Sequence, residues 1–218
     1  MDRYDMFPHI EERLTMTARE WLMFHWTMHR HNSMYRGRHL LKTPMDLLVL
    51  RDIIADTRPE VVIEIGSFDG GSALWIADQL EIEKNPARVI GVDVSPRCTA
   101  VADSRIDWVI GDCTDPKVVD EVRRLAEHRR GLVIEDSDHK LETTRRILQL
   151  YESFVAVGSY FIVEDTIVEF IDMPPFPGPL AAVREFVERR SAAFRIDRSR
   201  EKYLLTHNPM GYLVRTAE

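Results

Sequence analysis

The chain has 218 residues, 44% of them hydrophobic and 30% charged, which suits one soluble globular domain with a sizeable core. A net charge of −7 argues against nucleic acid as a partner, and no apolar run approaches the roughly 18 residues that a bilayer span needs. Cys98 and Cys113 are the only cysteines, which argues against a disulfide scaffold and fits a reducing cytoplasm.

Residues 1–40 read as an N-terminal helical extension and 41–218 as the main domain. Thr15 to about Arg30 has helical spacing, with Leu14, Ala18, Trp21, Leu22, His25 and Trp26 on adjoining faces. Docking on the core or on another subunit explains these residues better than a metal site. His25 and His29 are an i, i+4 pair but show no third ligand. Exposed Trp and Met would be costly, so a homo-oligomer contact through this extension is expected. Tyr35 to Arg38 looks like a turn. Thr43-Pro44 starts a helix that carries Leu47, Leu50, Ile53 and Ile54 inward.

The central stretch is Val61 to Leu80. A buried strand, Val61-Val62-Ile63, enters a turn with Gly66, Gly70 and Gly71, and Ser72 stands where the next helix begins. Further strands are read at Arg88–Asp93, Trp108–Asp112, Gly131–Asp136 and Gly158–Asp165. Helices fall between them, at Pro116 to about His128 and Leu141 to about Phe154. Such alternation predicts an α/β fold with a Rossmann-like doubly wound sheet, mostly parallel. Residues 166–178 read as a lid, with Phe170, Met173, Phe176 and Tyr160 as an apolar wall. A helix to Ser191 follows, and Lys202–Thr206 with Gly211–Arg215 are read as a C-terminal antiparallel hairpin.

In such sheets ligands sit beyond the carboxyl ends of the strands. Glu64, Asp93, Asp112, Asp136, Glu164 and Asp165 therefore converge on one rim, more acids than helix caps alone would require. Asp93, about thirty residues past the glycine turn, suits a ribose diol. The turn lacks the dinucleotide spacing, and Glu64 and Asp69 would repel a pyrophosphate. Asp112-Cys113 can meet an adenine amine. A nucleoside bearing a cation and no phosphate, S-adenosylmethionine, matches these features.

At the other end of the rim, Asp136, Glu164 and Asp165 offer the oxygens that Mg²⁺ or another divalent cation takes. Asp138 competes with Asp136 for that role, or caps the helix that follows it. His139 can overhang the same point as a general base toward a hydroxyl. These residues describe a cofactor- and metal-dependent O-methyltransferase of a small hydroxylated acceptor. Three alternatives are weaker: an oxygenase has only His9-x-Glu11 to offer, the glycine turn disfavours an NAD-dependent oxidoreductase, and the acids with His139 argue against a non-catalytic cofactor-binding protein.

The pattern Glu64-x-Gly66-Ser67-x-x-Gly70-Gly71-Ser72-Ala73, Gly91-Val92-Asp93, Gly111-Asp112, Asp136-Ser137-Asp138-His139, Gly158-Ser159-Tyr160-x-Ile162-Val163-Glu164-Asp165-Thr166 and Asn208-Pro209-x-Gly211-Tyr212 resembles the cephalosporin hydroxylase family. The likeness runs from about Tyr35 to Arg215. Despite its name, that family has the class I methyltransferase fold and includes enzymes of antibiotic tailoring and rhamnosyl O-methylation. Related metal-dependent O-methyltransferases carry an Asp, a Lys or His three residues on, and an acidic pair 28 residues after the Asp. Asp136, His139 and Glu164-Asp165 reproduce this spacing. The resemblance implies that Asp136 outranks Asp138 and that Glu64, Gly66, Phe68, Ser72, Asp93 and Asp112 contact the cofactor; Ser67 and Cys113 are counted with them.

Overall fold

The structure, a computed structural model, describes residues 10–171 and 177–218, with no side-chain description for residues 28–32. His9, Met173, Phe176 and the His29 side chain lie outside the described residues. Two helices, α1 (Ile10–Thr15) and α2 (Ala18–Asn32), lead into a small hairpin of β1 (Met34–Tyr35) and β2 (Arg38–His39). The helix expected from Thr15 to about Arg30 is α2, and α1 precedes it. Thr17 closes on Glu20 at the start of the second, where the Glu20 carboxylate accepts from the Thr17 N–H and hydroxyl, both at 2.7 Å.

The main domain contains α3 (Pro44–Thr57), β3 (Val61–Ile65), α4 (Gly71–Ile82), β4 (Arg88–Asp93), β5 (Ile106–Ile110), α5 (Pro116–Ala126) and β6 (Leu132–Glu135). It continues with α6 (Leu141–Tyr151), β7 (Tyr160–Val163), α7 (Val168–Ile171), α8 (Pro179–Arg189), β8 (Phe194–Ile196) and β9 (Tyr212–Arg215). The sheet order is β5-β4-β3-β6-β7-β9-β8. The five strands from β5 to β7 are parallel, and the last two pairings are antiparallel.

All of β3 is buried, and the period of two divides its side chains between the layers. Val61, Ile63 and Ile65 join the core under α5, α6 and α8. Val62 faces the opposite core, built from Val49, Leu50, Ile53 and Ile54 of α3 and from α4. Glu64 has the parity of Val62, so its carboxylate lies on the α3 side of the sheet. That sidedness decides which residue neutralises it.

The C-terminal antiparallel pair forms with the expected strand at Gly211–Arg215, but its other strand is not the expected one. β9 pairs with Phe194–Ile196, and Lys202–Thr206 is not a strand. Phe194 is buried against Phe186, with ring centroids 5.1 Å apart, so this segment has an apolar anchor. Lys202, Tyr203 and Leu204 are exposed, and Lys202 reaches Asp52 on α3. Tyr160 is also reassigned: it is buried in β7 and donates to Asp197 at 2.7 Å, away from any lid.

Arg105 ties the far edge of the sheet together, donating to Asp103 and to Asp78 at 2.6 Å each. The hydrogen bonds from Arg105 hold the Asp103 carboxyl down at about 2. A lowered carboxyl contributes stability above its unfolded range, and that contribution disappears as pH falls through the folded value. Asp103→Asn is expected to cost on the order of 1–2 kcal/mol at pH 7, with the deficit shrinking from pH 4 toward pH 2. Urea melts across that window measure it; a deficit independent of pH contradicts the assignment.

Candidate functional site

The sheet order reverses between β3 and β6, so the crevice beyond their carboxyl ends is the natural ligand position. The two strand ends touch. The Asp136 N–H donates to the Ile65 carbonyl at 2.8 Å, and Gly66 (φ 93°) lies so close that a Cβ there would overlap the Asp136 carbonyl. Gly70 (φ 80°) then turns the chain into α4.

Two cavities meet at this point. The larger, of about 570 Å³, is lined by Gly66, Phe68, Asp93, Asp112, Cys113 and Arg146 among others. The Asp93 carboxylate accepts from the Phe68 N–H and the Ser95 N–H, both at 2.7 Å, which locks the turn onto the end of β4. Asp112 accepts from the Thr114 N–H and hydroxyl, and those bonds lower its carboxyl. Burial pushes the Cys113 thiol up to about 12, so it is a wall and not a nucleophile.

The smaller cavity, of about 210 Å³, is lined by Trp26, His39, Lys42, Ser67, Ser72, Asp136, His139, Asp165 and His207 among others. Gly66, Phe68, Asp136 and Ser137 line both cavities. Ligand atoms of Asp136, His139 and Asp165 lie within 4.8 Å of one another, and the His139 Nε2 is 3.3 Å from the Asp165 carboxylate. Phe68, His139 and Asp165 have positive φ (47°, 57° and 54°), so three residues without glycine's freedom are strained at one spot.

The Asp165 tip is braced from the C-terminal loop. Its N–H donates to Asn208 at 2.9 Å, and the Thr166 hydroxyl donates to the Pro209 carbonyl at 2.7 Å. Asp46, buried in α3, accepts from the His207 N–H at 3.0 Å and from Tyr212 at 3.1 Å, fixing that loop in turn. Burial, with His25 nearby, pushes His207 down to about 4, which leaves a neutral imidazole in the wall.

Glu164 lies outside the Asp136, His139 and Asp165 cluster but shares an ammonium with Asp136. Its carboxylate is 2.5 Å from the Lys42 ammonium, which is also 2.9 Å from Asp136 and 3.8 Å from Glu64. Lys42 is 2% exposed at its side chain. Burial alone would push that ammonium down; the Asp136, Glu164 and Glu64 carboxylates outweigh it and hold Lys42 well above its usual range. Neither oxygen of buried Glu64 has a hydrogen-bond partner, and burial raises its carboxyl. Lys42 is the charged partner of this carboxylate behind the glycine turn. Asp138 sits apart from the metal-type cluster. It accepts from the Lys140 N–H at 3.2 Å and from the Lys140 ammonium at 2.8 Å, at the start of α6.

The sequence-derived residues therefore divide among three positions. Asp93, Asp112 and Cys113 line the larger cavity; Ser67, Ser72, His139 and Asp165 line the smaller. Gly66, Phe68 and Asp136 lie where the two meet, and Glu64 and Glu164 stand behind with Lys42. Lys42, Trp26, His39 and His207 were not foreseen. Lys42 lies in a short Leu-Leu-Lys-Thr-Pro approach to a helix, which gave no sign of burial among carboxylates.

A family model described as Rhamnosyl O-methyltransferase/CmcI matches residues 27–216. The chain belongs to that family. It is accordingly an S-adenosylmethionine-dependent O-methyltransferase. Rhamnosyl O-methyltransferase of Mycobacterium tuberculosis is 29% identical over 200 residues, covering 87% of this chain and 79% of the relative. The Mycobacterium leprae protein of the same name is 28% identical over 190 residues, covering 83% and 82%. Among solved structures, CmcI with Mg and SAM superposes with a TM-score of 0.68 at 22% identity, covering all of this chain and 88% of that one, a likeness of fold.

Gly66→Ala tests the junction directly. The added methyl meets the Asp136 backbone at a positive φ, so S-adenosylhomocysteine affinity is expected to fall at least tenfold, with about 2 kcal/mol less stability. Calorimetry with wild-type affinity in that variant would rule out this description of the junction.

Proposed function

We propose that this enzyme methylates a hydroxyl of a sugar or small natural product with S-adenosylmethionine and a divalent cation such as Mg²⁺. One observation carries the reading: a nucleoside-sized cavity and a smaller cavity lined by an Asp-His-Asp cluster adjoin at Gly66, Phe68, Asp136 and Ser137, which line both. The relatives named rhamnosyl O-methyltransferase favour a sugar acceptor with vicinal hydroxyls.

In this reading the larger cavity takes adenosine, with Asp93 toward the ribose and Asp112-Cys113 toward the base. Glu64 gives the cationic part of the cofactor a carboxylate to face, while Gly66, Ser67, Phe68 and Ser72 shape the turn around it. Asp136, Glu164 and Asp165 would hold the metal, Glu164 in exchange for its contact with Lys42, and Asn208 holds the Asp165 backbone in place. A divalent ion held there would polarise the acceptor hydroxyl and ease loss of its proton. His139 receives that proton, since it overhangs the cluster with its Nε2 inward and has no hydrogen-bond partner at Nδ1. Trp26 roofs the cavity and, with His207 and Leu41, excludes water from the reacting atoms.

Antibiotic or other secondary-metabolite tailoring is the setting that fits a solved neighbour, MycE from the mycinamycin biosynthetic pathway. Two buried free thiols, Cys98 and Cys113, favour a reducing cytoplasm. Residues 1–40 act as an extension, and exposed Ile10, Leu14 and Met23 on α1 and α2 favour self-association through it.

His139→Ala is expected to keep S-adenosylhomocysteine affinity within about twofold while turnover falls by roughly 10²-fold or more. Full turnover would remove His139 from the mechanism. EDTA is expected to abolish methyl transfer and added Mg²⁺ to restore it; activity that survives exhaustive chelation would exclude a metal role.

A further inference from the structure

We propose that Lys42 is a built-in counter-ion of the metal centre, holding Asp136 and Glu164 on one ammonium and competing with the divalent ion for them. The inference rests on the metal-dependent reading above. Glu64, Asp136, Glu164 and Asp165 bring four carboxylates to one end of the sheet, and Lys42 is the ammonium set among them, 2.9 Å from Asp136 and 2.5 Å from Glu164. Asp136 also belongs to the Asp136, His139 and Asp165 cluster. A divalent ion in that cluster and the lysine therefore contend for one carboxylate.

Lys42 is held where it is. The next residue, Thr43, caps α3, accepting from the Asp46 N–H at 3.0 Å and donating to the Asp46 carboxylate at 2.7 Å. Thr43 and Asp46 are themselves buried. The lysine thus approaches from the α3 face, the side to which Glu64 also points, and its charge is fixed near the metal by a rigid cap. Repulsion between an ammonium and a divalent ion is poorly screened in so buried a place. Two consequences follow from one group. Without metal, the ammonium keeps buried carboxylates from being left uncompensated. With metal, it weakens binding, so the ion remains exchangeable. Lys42 is a positioning residue; it lies in the wall of the smaller cavity, between Asp136 and Glu164 at the metal end and Glu64 at the cofactor end.

Mn²⁺ titration, read by electron paramagnetic resonance without cofactor or acceptor, separates competition from simple support. Lys42→Met and Lys42→Gln are expected to bind Mn²⁺ at least tenfold more tightly than wild type, and Lys42→Arg to stay near wild type. The metal-free melting temperature should fall in the Met variant, and saturating Mn²⁺ should raise it by more than it raises wild type. Equal or weaker Mn²⁺ binding by the Met and Gln variants overturns the proposal, because the lysine would then organise the ligands instead of competing. Failure of both variants to fold even with Mn²⁺ present overturns it equally, leaving Lys42 as a support of the fold. Absence of Mn²⁺ binding by wild type is a different result, and sinks the metal-dependent reading itself.

Discussion

The contact between Gly66 and the Asp136 backbone is the constraint on which the site depends. Parallel strands β3 and β6 run side by side and release their chains at the same level, and a hydrogen bond from Asp136 to Ile65 keeps the two tips in register. Only a residue without a Cβ fits between them. The turn after β3 must therefore leave with a positive φ, and the space it leaves opens on one side to Asp93 and on the other to Asp165. Two ligand positions share one wall because the backbones are pressed together there.

Electrostatics then sets the character of each side. Carboxylates at strand ends are inexpensive when solvated and expensive when buried. Asp93 and Asp112 spend theirs on backbone amides, which shape turns. Glu64 and Glu164 are buried and depend on a lysine supplied from outside the sheet. Strain gathers at the same place, since Phe68, His139 and Asp165 all adopt left-handed backbone. Bracing from Asn208 and Asp46 is what keeps such an arrangement in one conformation.

Most of the architecture was legible because it rests on short-range signals. Continuous apolar runs marked the parallel strands, and the acids at their tips marked the rim. The last hairpin was misread because Lys202–Thr206 has a strand-like composition, while burial of Phe194 against Phe186 is a tertiary fact. The rim acids were visible one by one, yet their division among amides, lysine and cluster was not. It depends on the parity of Glu64 in β3 and on a lysine 22 residues upstream meeting it on the α3 face of the sheet. Trp26 and His207 escaped for the same reason: each is distant in sequence from the rim it lines.

The apolar patch that seats α2 is separate from the two cores that hold the sheet. Leu22, Ile167 and Ile171, with Trp21, Trp26 and Leu205, form a cluster of their own. Trp26 belongs to that patch and also meets the rings of His139 and His207. A substitution at this one position therefore disturbs the seat of α2 and the imidazoles beneath it together.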